Sequence, residues 1–106
     1  MLAHRTNVAN LGARLQALSS TLPGWLAFLG PLVLYVASLS PAVAFWDTGE
    51  MQTVPWILGI AHPTGFPLFT LLGWAFSHVV AIDTVAWRIS LLCALATAAA
   101  AWAGYA

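Results

Sequence analysis

The sequence contains no lysine, and its 106 residues carry only three arginines and three carboxylates, 6% charge in all. Soluble domains carry about a quarter charged residues, so a water-soluble globular fold, an acidic tail and a disordered linker all fit poorly. The formal charge is zero with the histidines neutral, which leaves no basic footprint for nucleic acid. Cys93 is the single cysteine, so neither a disulfide framework nor a thiolate metal site is available. It lies in an apolar run and is expected to pack as a small hydrophobe. No histidine or carboxylate spacing repeats in a metal-ligand pattern, so neither a protein-built metal site nor a cofactor is expected.

Apolar residues make up 61% of the chain. The expected fold is an all-α membrane protein with about three transmembrane helices, a short amphipathic N-terminal helix and a helical external first loop. In residues 1–22, Val8, Leu11, Leu15 and Leu18 recur at helical spacing, with Arg5 and Arg14 elsewhere around the wheel. That pattern suits a cytoplasmic segment lying on a membrane surface, or equally a solvated terminus. A charge-free stretch over 25–45 is long enough to cross a hydrocarbon core of about 30 Å. Pro23-Gly24 marks its start, Pro31 is expected to kink it, and Ser40-Pro41 loosens its far end. Ala42-Val43-Ala44 resembles a signal-peptidase site, but the long N-terminal region and long apolar run favour an anchor.

Two further apolar stretches, 67–82 and 89–106, are read as the second and third spans. Arg5 and Arg14 before the first span and Arg88 after the second place the N-terminus and the Asp83–Arg88 turn in the cytoplasm. The loop 46–66 then faces the other side. The third stretch stops at Tyr105-Ala106 without a polar flank, so the chain reads as the N-terminal part of something longer. In that stretch Ala94-Ala98 and Ala96-Ala100-Gly104 offer small-residue faces for close helix approach.

Chemistry concentrates in the loop. Asp47 and Glu50, three apart, share one helical face beside Phe45, Trp46 and Trp56. A carboxylate there suits a general base that deprotonates a hydroxyl. The same residues also read as a capping box, with Asp47 as N-cap and Glu50 returning to its backbone N–H. Downstream, the run Gly59 to Pro67 encodes a tight turn, where His62 and Thr64 can donate hydrogen bonds to a phosphate, or His62 can simply cap the turn. His78, inside the expected second span, reads first as a helix-to-helix hydrogen-bonding residue.

Two motifs in order, Phe45-Trp46-Asp47-Thr48-Gly49-Glu50 and Gly59-Ile60-Ala61-His62-Pro63-Thr64-Gly65-Phe66-Pro67, carry a resemblance that covers about residues 38–95. They resemble the N-terminal part of a bacterial and eukaryotic family of GT-C-type membrane glycosyltransferases, which includes the O-mannosyltransferase of receptor IPT domains. Thr48 stands where the family has serine and Thr64 where it has proline. The resemblance implies a polytopic fold and transfer of a sugar, such as mannose, from a polyprenyl- or dolichyl-phosphate donor to a protein or glycan acceptor. It implies Asp47 as the base, Glu50 as its support or as a residue positioning the acceptor, and His62 as a contact to donor phosphate; Trp46 and Thr64 are the further candidate substrate contacts. It also implies a multi-pass protein of a bacterial inner membrane, or of the endoplasmic reticulum in a eukaryote. Three helices cannot by themselves enclose such substrates, so the missing helices or a partner subunit are implied too. The competing readings are a small helical subunit and a transporter segment in which Asp47 and His78 relay protons.

Overall fold

The computed structural model describes residues 2–105, with the side chains of Arg14 and of residues 21–105. Among these the chain is entirely helical: α1 (Leu2–Ser38), α2 (Asp47–Ile57), α3 (Pro67–Val79) and α4 (Val85–Tyr105). The expected sorting of Val8, Leu11, Leu15 and Leu18 against the arginines lies outside the described side chains.

Helix α1 runs unbroken for 37 residues, with Pro23 and Pro31 inside it. The N-terminal segment is therefore continuous with the first long helix rather than a separate short one, and Pro23-Gly24 lies inside it. The helix ends at Ser38, before Ser40-Pro41, where a residue preceding proline is pushed out of the helical region.

Helices α1 and α4 pack antiparallel. At one end the Thr84 hydroxyl, just before α4, donates to the Pro41 carbonyl at 2.6 Å. At the other end Gly24 lies buried against the rings of Trp102 and Tyr105. Ala86, Ile89, Ala94 and Ala98 form the buried stripe of α4, and Ala98 is fully covered. Small side chains let the backbones approach, which is the role expected of Ala94-Ala98. Ala96, Ala100 and Gly104 stay exposed, as does Cys93.

Both long helices, over Thr21–Ser38 and Val85–Tyr105, are long and apolar enough to cross a membrane, and little of either is covered by the rest of the chain. Together with the absence of strands among the described residues, this is consistent with the N-terminal part of a membrane protein.

The layout differs from the expected one at 67–82. Helix α3 has 13 residues, about 20 Å of rise, well short of the hydrocarbon core. Its buried residues are Thr70, Gly73 and Ser77, a small and polar face turned toward α2 and α4. Hydropathy counted the apolar residues of this stretch but not the helix length or the face it uses for packing.

Because Thr84 bonds Pro41, the Asp83–Arg88 turn sits at the same end of the α1–α4 pair as the start of α2, rather than opposite it. Arg88 is engaged by backbone carbonyls. Its guanidinium donates to the carbonyls of Ser77, Ile82 and Asp83 at 3.1, 2.9 and 2.9 Å, closing the open end of α3.

Helices α2, α3 and α4 meet where Pro55, Gly73 and Ile89 converge. A Cβ on Gly73 would lie 2.6 Å from the Pro55 side chain and 3.2 Å from Ile89. Gly73→Ala is therefore expected to lower stability by about 1–3 kcal/mol through overpacking, despite alanine's better helix propensity. Thermal unfolding in detergent checks this, and an unchanged or raised midpoint would show that the contact gives way freely.

Candidate functional site

Helix α2 begins at Asp47 itself. Its N-cap is Trp46, which has a left-handed backbone (φ 59°) and makes no side-chain capping bond. The Trp46 carbonyl accepts from the amides of Gly49 and Glu50 at 2.9 and 3.3 Å. The capping box is thus not formed: Asp47 is inside the helix and Glu50 turns elsewhere. Both carboxylates occupy the first turn, where the helix dipole favours negative charge. Gly49 is required here, because a side chain would run into the Ala44 carbonyl.

Glu50 instead reaches twelve residues along the chain to His62. One carboxylate oxygen accepts the His62 backbone N–H at 2.7 Å and the other accepts the ring Nδ1–H at 2.8 Å. A carboxylate only accepts, so Nδ1 carries the proton and Nε2 is left for another partner. Buried Ala61 anchors the preceding residue, and Phe66 meets the imidazole edge-on, with centroids 5.7 Å apart. The two sequence motifs therefore converge through one double hydrogen bond.

Asp47 joins the same cluster. Single ligand atoms from Asp47, Glu50 and His62 all lie within 4.8 Å of one another. Spacing along the chain gave no metal pattern, yet folding assembles three potential ligands, two of them already bonded to each other. Among the described residues the Asp47 carboxylate has no hydrogen-bond partner.

The other expected contact residues lie apart. Trp46 is 90% exposed beside the cluster. Thr64 sits in the turn closed by the Gly65 amide and the His62 carbonyl at 2.9 Å. It lines a separate open groove of about 510 Å³ with Leu58, Ile60, Gly65, Thr70 and Leu71. The Thr70 hydroxyl is buried there without a partner. His78 is not part of the cluster: its ring stacks on Trp56 at 4.1 Å, tilts against Trp74, and bonds the Trp74 carbonyl of its own helix.

Sequence reasoning missed Gln52. It is 6% exposed, and its side-chain amide accepts from the Ala44 N–H at 2.9 Å and donates to the Ser90 hydroxyl at 3.0 Å. A lone amide side chain in a helix of mixed composition offered no pattern that could have found it.

The model of the protein O-mannosyl-transferase TMEM260 N-terminal domain matches residues 47–106, more than half of the chain. The chain belongs to this family. It is 42% identical over 69 residues to the protein O-mannosyl-transferase tmem260 of Dictyostelium discoideum, covering 63% of this chain and 8% of that protein. It is 38% identical over 74 residues to the Mus musculus protein O-mannosyl-transferase TMEM260, covering 70% of this chain and 10% of that one. The chain thus corresponds to about a tenth of the length of these relatives. No solved structure matches it.

The Glu50 carboxylate holds the imidazolium and raises the pKa of His62 above its ordinary 6.5. The same two hydrogen bonds lower Glu50 below 4.5. Glu50's contribution is present above 4.5 and is lost as pH falls through its lowered value. His62's is complete below 6.5 and is lost as pH rises through its raised value. The charged contact is therefore complete between these two limits. A ¹⁵N titration of the His62 ring is expected to show a midpoint above 6.5 that drops in Glu50→Gln. A midpoint indifferent to that substitution would separate the two groups in solution.

Proposed function

We propose that this segment works as the N-terminal part of a protein O-mannosyltransferase, with the Asp47–Glu50–His62 cluster at the transfer site. The observation that carries the reading is the division of labour between the carboxylates. Glu50 is engaged through both oxygens by His62, while neighbouring Asp47 is free to accept a proton.

In this reading Asp47 takes the proton of an acceptor hydroxyl as its oxygen attacks the anomeric carbon of mannose. The bond from that carbon to the phosphate oxygen of a polyprenyl- or dolichyl-phosphate donor breaks, and its electron pair leaves with the lipid phosphate. Glu50 fixes the imidazole, and His62 presents Nε2–H to that phosphate when protonated. Charge-assisted hydrogen bonds of this kind are stronger than neutral ones, and they matter most where charge develops. Trp46 and Thr64, outside the cluster, are assigned to the acceptor or donor periphery.

The bilayer is the other partner. Helices α1 and α4 are read as the two spans, with the 39–84 segment at one membrane face. Trp87 and Trp102 stand near the two ends of α4, where aromatic side chains favour membrane–water interfaces. On this arrangement the cluster faces away from the cytoplasm, in a bacterial inner membrane or a eukaryotic endoplasmic reticulum. The remaining helices of the transferase cover the apolar flanks of α1 and α4.

Asp47→Asn in the full-length transferase is expected to lower transfer from a defined lipid-phosphate mannose by about 10²–10⁴-fold, the usual worth of a general base. Glu50→Gln is expected to lose about tenfold, because the neutral amide still supplies one acceptor oxygen. Wild-type transfer by Asp47→Asn would remove Asp47 as the base.

The membrane arrangement has its own check. With Cys93 replaced by serine, cysteines introduced at Val43 and Ile82, both exposed, are expected to react with a membrane-impermeant maleimide from the same side. Labelling from opposite sides would restore a three-span layout.

A further inference from the structure

The approach to Asp47 is held from very few points. Phe45 and Trp46 are 89% and 90% exposed, so neither side chain anchors the backbone that leads into α2. Ahead of Trp46, whose carbonyl the Gly49 and Glu50 amides hold, the last fixed residue is Ala44, and two features fix it. Its amide donates to the Gln52 side chain, and its carbonyl lies over Gly49, where a side chain would displace it. Gln52 is in turn tied to the Ser90 hydroxyl on α4. One buried amide thus joins the segment leading into α2, α2 itself and α4, with its oxygen and its nitrogen each used once.

From this geometry we infer that Gln52 is a positioning residue for the reaction, acting on Asp47 through the Ala44 backbone; the inference rests on the proposed role of Asp47. Trp46, between them, stands at a positive φ that a bulky residue adopts only when its surroundings impose it. Releasing Ala44 lets Trp46 relax toward an ordinary conformation. The first turn of α2 then loses its defined start, and Asp47 turns away from the site occupied by the acceptor hydroxyl. Displacements near 1 Å at a catalytic group cost about a hundredfold in rate, so a small relaxation suffices. Gln52 hydrogen-bonds none of Asp47, Glu50 and His62, so its effect falls on the orientation of Asp47 rather than on the Glu50–His62 contact.

The test compares Gln52→Met, which keeps the length but loses both hydrogen bonds, with Ser90→Ala, which cuts only the link to α4. Both are made in the full-length transferase. Gln52→Met is expected to lower kcat ten- to hundredfold with the donor KM unchanged within threefold, whereas Ser90→Ala keeps kcat within threefold. Hydrogen exchange of the Ala44 amide supplies a readout independent of activity: slow in the wild type and in Ser90→Ala, fast in Gln52→Met. Equal losses in both variants that track a lower melting temperature would reduce Gln52 to a packing residue and overturn the proposal. An unprotected Ala44 amide in the wild type would overturn it without any variant, even if Gln52→Met fails to fold. If Asp47→Asn is inactive while Gln52→Met keeps wild-type kcat, the positioning role alone fails. If Asp47→Asn is active, the base assignment fails and takes this role with it.

Discussion

The double hydrogen bond from His62 to Glu50 is the contact on which the rest of the site depends. It joins the first turn of α2 to the turn before α3, twelve residues on, and commits both oxygens of one carboxylate. Without it the two motifs would be separate surface turns on a short helix pair. With it the imidazole has a defined tautomer and a defined direction, and the neighbouring Asp47 is the carboxylate left over. The chemical distinction between two like residues three apart arises from which of them the histidine selects.

This contact is held in a frame of unusual backbone conformations. Trp46, Leu58, Phe66 and Asp83 all have positive φ, and each stands at or beside a helix end. Such conformations cost about 1–3 kcal/mol each in non-glycine residues, and they persist only where surrounding contacts impose them. Three helix boundaries supply contacts of that kind. Leu58 and Gly59 close α2 through the Pro55 and Val54 carbonyls. Arg88 closes α3 through three carbonyls, and Thr84 caps α4 through the Trp87 amide at 3.2 Å. The clustering of this strain in the 46–83 segment agrees with placing the chemistry there and the simpler, small-residue packing in the α1–α4 pair.

Much of this was legible in the sequence because it depends on local chemistry. Prolines at 41 and 67 mark the end of α1 and the start of α3, and charge-free runs mark the long helices. The two motifs named the family that the comparisons show. What was not legible depends on partners far along the chain. The capping box was a sound local reading of Asp47 and Glu50, but His62 competes for the same carboxylate from a turn that spacing alone could not bring near. Arg88 looked like a topological charge, because its three carbonyl partners exist only once α3 has ended. The 67–82 run looked like a span, because hydropathy is blind to a helix that stops after 13 residues. Gln52 was silent, since a single amide side chain has no pattern to match.

The bond between Thr84 and Pro41 has a consequence for how the site is inherited by a larger molecule. It pins the two feet of a loop of about forty residues, and tethering those ends removes conformational freedom that the loop would otherwise retain. The Glu50–His62 pair lies within that loop, and the Ala44–Gln52–Ser90 contacts beside it reach no more than two turns beyond it. Variation elsewhere in a transferase can therefore change what is delivered to the cluster while the cluster keeps its internal geometry. The loop is a cassette, and the clasp is what makes it portable.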